Sequence, residues 1–334
     1  MKRSKRLALR AFAVAVGITC LAGIGEPVVA QTQPIVLKGI VPYHPQNYLA
    51  QPLFILQKLL AERTNGQIKI DIIGGEEVVK ALEQFDAVRN GVVDIALNVA
   101  SYYTGTVPEA LAVQYNQKLL PSEMRKNGYY DLMRKIHLEK GNVIYLANAS
   151  GTPGRAFRLY TKKRVDKADL TGLKIRVSPV YTALVKGLNG TPISMPPADV
   201  YSALERGVVD GYGWTYAGIL DYSFQEVGKY AIDPPFYSLN SAILMNRDSY
   251  DKLPPDAKAK LEQVAQEFET VVADYYAKYI KEEDAKLKAK GVVVVTLPPA
   301  EAKKYLEAAY NGGWADFLAK NPENGARLKA LTER

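Results

Sequence analysis

The sequence predicts an α/β protein built as two lobes, and three observations lead there. Strand and helix patterns alternate from the first strand onward. A helix–glycine–Val-Val-Asp theme occurs twice, at Arg89–Asp94 and Glu205–Asp210. One amphipathic stretch, from Pro254 to Gly291, exceeds the span of a single small domain.

Ile35–Val41 is an apolar run of strand length. Tyr48–Thr64 places Leu49, Leu53, Leu56 and Leu60 at helical spacing, and Asn65-Gly66 supplies the left-handed close of a helix. Gln67–Ile73 alternates, with Ile68, Ile70 and Ile72 on one face of a second strand. Val78–Arg89 reads as a helix ended by Asn90-Gly91, and Val92–Leu97 as a third strand. This order implies a mostly parallel sheet covered by helices. A second series follows: strand Leu173–Val177, helix Tyr181–Leu188 closed by Asn189-Gly190, helix Pro197–Glu205, then glycine and a buried strand. Two lobes on one plan explain the repeat; so does chance, since helix-glycine-strand recurs in any α/β chain. The long helix starts at Pro254-Pro255-Asp256 and carries a stripe of Leu261, Val264, Phe268, Val271, Tyr275 and Tyr279. At 1.5 Å per residue it runs roughly 50 Å, enough to pack along both lobes. Val292–Val295 is a strand, and a last helix carries Tyr305, Tyr310 and Trp314.

Residues 1–30 read as a cleaved Sec-type signal peptide. Lys2, Arg3, Lys5, Arg6 and Arg10 form a basic n-region that overlaps the start of an apolar stretch, roughly Leu7–Ile24, which contains Gly17 and Gly23 and leads to the small-residue context Val28-Val29-Ala30. Cys20, the only cysteine, follows Thr19 rather than a small residue and reads as part of that leader. The formal charge of +8 falls to +4 without the leader, so the basic balance belongs largely to it. The remaining charges are interspersed, which gives nucleic-acid binding no support. No later segment is apolar enough to span a bilayer.

Catalytic signatures are sparse. The two histidines, His44 in Tyr43-His44-Pro45 and His137 in Lys135-Ile136-His137, sit in no zincin, nucleophile-elbow, P-loop or dinucleotide fingerprint. His137 is expected on a helix surface. Glu76-Glu77 and Glu282-Glu283-Asp284 read as solvated faces. Arg176 ends an otherwise apolar strand. A guanidinium cannot shed its charge there and needs an anionic partner, either an internal carboxylate or a bound one. Trp214 lies where the second repeat's strand leaves its sheet, the side on which open α/β sheets bind ligands, and serves either as a pocket wall or as hinge packing. Asn98 holds the comparable place after the first repeat.

These residues resemble the solute-binding proteins of TRAP transporters, the DctP-type family. The resemblance runs through Gly172–Val177, Gly190-Thr191-Pro192, Asp199–Gly211 and Phe224–Tyr230, and in the first half through Gln84–Asp94 and Val107-Pro108-Glu109. It implies the periplasmic solute-binding fold: a ligand cleft between two α/β lobes, with one long helix spanning both. Residues 31–155 with 241–280 would form one lobe, and 156–240 with 281–334 the other. It implies a non-enzymatic, monomeric receptor in the periplasm that captures a small carboxylate and delivers it to TRAP membrane permease subunits, with no cofactor and no nucleic acid. The carboxylate-clamping arginine falls on Arg176 and an assisting one on Arg158, with Arg155 competing. Where one branch carries a Glu-Trp metal-binding pair, this chain has Gly213-Trp214, which argues against a metal. Trp214 with Tyr212, Tyr216, Phe236 and Tyr237 would wall the pocket, and Tyr43 and Asn98 would complete it from the other lobe. An aromatic or compact hydroxy monocarboxylate suits those walls. A receptor feeding a sensor, or a periplasmic enzyme, are the alternatives.

Overall fold

The computed structural model describes residues 33–151, 153–215 and 218–333. The expected leader, Cys20 included, and Tyr216 lie outside them. In chain order the first part is β1 (Ile35–Ile40), α1 (Gln51–Arg63), β2 (Ile68–Ile72), α2 (Gln84–Arg89), β3 (Ile95–Val99), α3 (Pro121–Lys126), α4 (Tyr129–Gly141) and β4 (Val143–Asn148). Next come β5 (Phe157–Thr161), β6 (Lys174–Val177), α5 (Thr182–Gly187), β7 (Thr191–Ser194), α6 (Pro197–Glu205), β8 (Gly211–Thr215) and β9 (Tyr230–Asp233). The chain then runs through β10 (Ser241–Asn246), α7 (Arg247–Asp251), α8 (Pro255–Ala289), β11 (Val293–Thr296), α9 (Pro299–Lys320) and α10 (Gly325–Glu333).

Two sheets form, in the orders β2-β1-β3-β10-β4 and β11-β9-β5-β8-β6-β7. β1 is parallel to β2 and β3, and β6 to β7 and β8. Each sheet also takes an antiparallel strand, β10 between β3 and β4 and β5 against β8 and β9. The expected parallel sheets are therefore mixed. β5 and β10 are the first strands after the chain crosses between lobes. They start at the end of the sheet where the parallel strands finish, so they run the opposite way.

The sequence repeat is a structural repeat. Gly91 and Gly207 both adopt left-handed φ, 70° and 72°. The Val92 and Val208 N–H groups return to the preceding helix, at Ala87 and Ala203 carbonyls 2.9 and 2.8 Å away. Asp94 and Asp210 carboxylates then accept the N–H groups of Lys38 in β1 and Lys174 in β6, at 2.7 and 2.9 Å. This geometry corrects the expected strand at Val92–Leu97. Val92 and Val208 are exposed members of a helix-closing turn, because their amides are spent on the helix, and pairing begins only at β3 and β8.

The expected helix over Val78–Arg89 is also shorter. Lys80 is extended, with φ −53° and ψ 139°, and only a 3₁₀ turn at Ala81–Glu83 precedes α2. The buried Gln84 amide holds this start, donating to the Val41 and Val79 carbonyls at 2.8 and 2.9 Å. α1 ends where expected: Gly66 N–H reaches the Ala61 carbonyl at 2.8 Å, and Thr64 Oγ1 caps Leu60 at 2.6 Å. α8 has 35 residues, about 52 Å of helix. Leu261, Val264 and Phe268 are buried as the stripe predicts, but it continues through Val272 and Tyr276, with Val271, Tyr275 and Tyr279 flanking. Its start packs in the first lobe, while Leu287 near its end joins the second lobe's core beside Tyr212 and Trp214.

His137 is a correction. It is fully buried, with Nε2 3.1 Å from the Tyr103 hydroxyl and Nδ1 2.8 Å from the Met133 carbonyl. Burial lowers its pKa to about 4. The short α4 pattern hid this, because every polar atom of the ring has an internal partner.

Candidate functional site

A cavity of about 540 Å³ opens where the two sheets present the same end. The first lobe contributes Tyr43 beyond β1, Val99 at the end of β3, and Ser101 and Tyr102 just after it. The second lobe contributes Arg176 on β6, Ser178 beyond it, Met195 beyond β7, and Trp214 and Thr215 closing β8. Phe157 and Ser241, the first residues of the two reversed strands, complete the rim. Carboxyl ends of parallel strands are where open α/β sheets place ligands, and both lobes follow that rule at once.

Arg176 is 3% exposed. Its guanidinium is aimed by backbone carbonyls: Nε and Nη2 donate to the Met195 carbonyl at 3.1 and 2.9 Å, and Nη1 to Gly213 at 3.2 Å. Three of five N–H groups are thereby spent, leaving two. No carboxylate among the described residues pairs with it. Burial lowers its pKa, while the hydroxyls of Tyr181, Tyr102, Tyr43 and Tyr222 pull the other way. Its Cζ lies 5.2 Å from the Trp214 ring. Two other arginines differ: the part-buried Arg125 holds Glu269 through two bonds of 2.7 and 3.0 Å, and the buried Arg158 pairs with Asp233 at 2.5 Å.

Of the residues singled out from the sequence, Arg176, Trp214 and Tyr43 come together at this cavity. The others stand elsewhere. Arg158 is engaged with Asp233 outside the lining, and Arg155 is exposed. Tyr212 stacks on Tyr160 at 5.0 Å in the second lobe's core and bonds the Gly228 carbonyl. Tyr237 donates to the Ala309 carbonyl at 2.7 Å, packing β9's exit against α9. Phe236 is buried beside it. Asn98 is buried on β3, its Oδ1 accepting from the Val99 N–H at 2.8 Å. Alternation explains its place: Val99 faces the cavity, so Asn98 faces away. The sequence reading missed Tyr102, Tyr181 and Phe157. Tyr102 was accessible from the strand-end rule; Phe157 was not, because it starts a strand of reversed direction.

The lobes also touch beside the cavity. The Tyr48 hydroxyl donates to Thr215 Oγ1 at 2.7 Å, and Asn47 Nδ2 to Asp221 Oδ2 at 3.0 Å. The Tyr48 ring stacks on Tyr279 of α8 at 4.5 Å. Gly218, at φ +86°, packs so closely that a Cβ there would lie 2.3 Å from that ring. Among the described residues, no group of three His, Cys, Asp or Glu side chains is placed to hold a metal ion, and no helix is long and apolar enough to cross a membrane.

The model of the bacterial extracellular solute-binding protein family 7, DctP, matches residues 45–320. The chain belongs to this family. A solute-binding protein of Albidiferax ferrireducens is 28% identical over 286 residues, 82% of each chain. A TRAP periplasmic solute-binding protein of Desulfovibrio salexigens, solved with bound orotic acid, superposes with a TM-score of 0.78 at 22% identity, covering 89% of this chain and 97% of that one. An extracytoplasmic solute receptor of Bordetella pertussis, binding pyroglutamic acid, gives 0.76 at 21% identity over 90% and 99%. These likenesses to solved structures establish the two-lobed fold.

Proposed function

We propose that this family 7 protein is the periplasmic receptor of a TRAP-type secondary transporter, and that it captures a small organic monocarboxylate on Arg176 for delivery to a membrane permease. The observation that carries this reading is the buried guanidinium, with two N–H groups unspent and no carboxylate paired with it among the described residues. Two N–H groups match the two oxygens of one carboxylate, a bidentate fit. Family membership supports the transport role. The acids bound by the two structural neighbours, orotic and pyroglutamic, each join one carboxylate to a ring, which supports the ligand class. Rings from both lobes line the cavity, so an aromatic or hydroxy monocarboxylate fits; Tyr43 and Tyr102 would meet it from the first lobe as the cleft closes. Closure is favoured only by contacts that the closed state adds.

A thermal-shift screen of carboxylic acids beside their methyl esters tests this. A bound acid raises the melting temperature, further as its concentration rises above its Kd, and the ester of the same acid, lacking the charge, leaves it unmoved. Esters stabilising as strongly as acids would refute carboxylate capture. Recovery of the acid unchanged after long incubation separates a receptor from an enzyme.

A further inference from the structure

We infer that Gly213 and Tyr181 together select ligands whose carboxylate is carried on a flat ring, over compact hydroxy acids and polyhydroxy acids. This rests on the carboxylate reading above and deepens it. Gly213 is part of β8 and its carbonyl aims Arg176. An ideal Cβ at 213 would lie 2.7, 2.9 and 3.1 Å from Cδ2, Cε2 and Cγ of Tyr181, so the missing side chain is what lets that ring sit against the strand. Held there, Tyr181 is edged by Phe157 at 5.3 Å and Phe236 at 6.1 Å and becomes a fixed wall of the cavity. Trp214 is the next residue along β8, and its own ring is braced by Tyr222 and Phe224 at 5.3 and 5.2 Å. The arginine is thus bordered by two rings that packing holds in place.

Two polar side chains beside these rings are already engaged within the fold. Thr215 Oγ1 receives the Tyr48 hydroxyl, and Asn240 Nδ2 is spent on Gln114 Oε1 at 2.8 Å. The Tyr43, Tyr102 and Tyr181 hydroxyls are held among these walls, beside Arg176. A polyhydroxy acid would set several of its hydroxyl groups against the rings of Phe157, Tyr181 and Trp214, and each one left unpartnered there weakens binding. A three-carbon hydroxy acid would leave most of the 540 Å³ filled with water against carbon walls. A ring fills that space and stacks on side chains already in position.

The test is calorimetry of the full mature chain with benzoate and trans-cinnamate against lactate and gluconate, on the wild type, Gly213→Ala, Tyr181→Ala and Arg176→Ala. The ring acids are expected to bind at least about ten-fold tighter than lactate or gluconate. Gly213→Ala, whose Cβ drives Tyr181 off the strand, is expected to cut the ratio of ring-acid to lactate affinity by about ten-fold, and Tyr181→Ala to cut it similarly. Tyr181→Ala removes the clash rather than creating one, so it keeps the question open to measurement if Gly213→Ala folds poorly. Lactate or gluconate binding as tightly as the ring acids, with binding still lost in Arg176→Ala, overturns the selection and leaves the carboxylate reading standing. No acid of either kind binding the wild type overturns both.

Discussion

Replacing Arg176 probes the site most directly, because the structure separates its charge from its shape. Arg176→Ala removes both charge-assisted hydrogen bonds available to a ligand carboxylate. At about 1.5–3 kcal/mol each, the loss is about 3–5 kcal/mol after allowing for partial replacement by water, or roughly a hundred- to several-thousand-fold in affinity. Arg176→Lys keeps the charge and loses the fork. Its ammonium cannot hold the Met195 carbonyl, the Gly213 carbonyl and two ligand oxygens in one plane, so it should recover only part of the loss and bind about ten-fold or more below the wild type. Stability of the unliganded protein should follow a different order. The guanidinium at 3% exposure carries an uncompensated desolvation cost, so neither variant should unfold much more readily than the wild type despite losing three bonds to backbone carbonyls. Isothermal titration calorimetry for affinity and urea denaturation for stability read the two effects separately. Wild-type affinity in Arg176→Lys would refute bidentate recognition. A large loss of unliganded stability in Arg176→Ala would show that Arg176 is a structural residue satisfied within the fold.

Three further outcomes follow from groups away from the ligand. Burial holds the His137 pKa at about 4, below its unfolded value of 6.5; between those values the unfolded chain binds the extra proton, so this contribution is complete above pH 6.5 and is lost as pH falls through 4, about 3 kcal/mol in all. His137→Phe should flatten that part of a pH–stability profile measured by urea denaturation. Glu269→Ala strands Arg125 and the Asn148 N–H, which donates to Glu269 Oε1 at 2.9 Å, and should lower unfolding free energy by about 3–5 kcal/mol in the same assay. Tyr48→Phe deletes a buried bond between the lobes and should cost about 1 kcal/mol of stability. Small-angle scattering with and without ligand should show its open and closed populations shifted from the wild type's, and identical profiles would discount Tyr48 as a link between the lobes.

Much of the architecture was legible in the residues because it is local. Glycines that must adopt left-handed φ, apolar spacing along α1 and α8, and the paired Val-Val-Asp turns are short-range signals. The same locality explains the errors. Nothing near Val92 or Val208 announces that their amides return to the preceding helix, and nothing near Lys80 announces that Gln84 pins the chain there. The crossing strands β4, β5, β9 and β10 were not marked as elements, since long-range pairing organises them.

Arg176 and Trp214 were visible as a charge and a large ring at the end of apolar strands, where any such residue needs a partner or a purpose. Which arginine lacks a carboxylate partner among the described residues was not visible. Arg158 and Arg176 each interrupt an apolar strand, and only the fold supplies Asp233 to Arg158, as it supplies Glu269 to Arg125. Tyr212, Tyr237 and Asn98 were reasonable cavity residues by position along the chain, yet the pleat and the packing of α9 turn them into the core. By itself the sequence determined that this is a two-lobed α/β chain with a buried cation at a strand end, because hydrophobic period, turn chemistry and an unshed charge are properties of neighbouring residues. The tertiary structure decided which cation stays unpaired and which rings face it, because ion pairing and burial depend on groups that lie far apart in the chain.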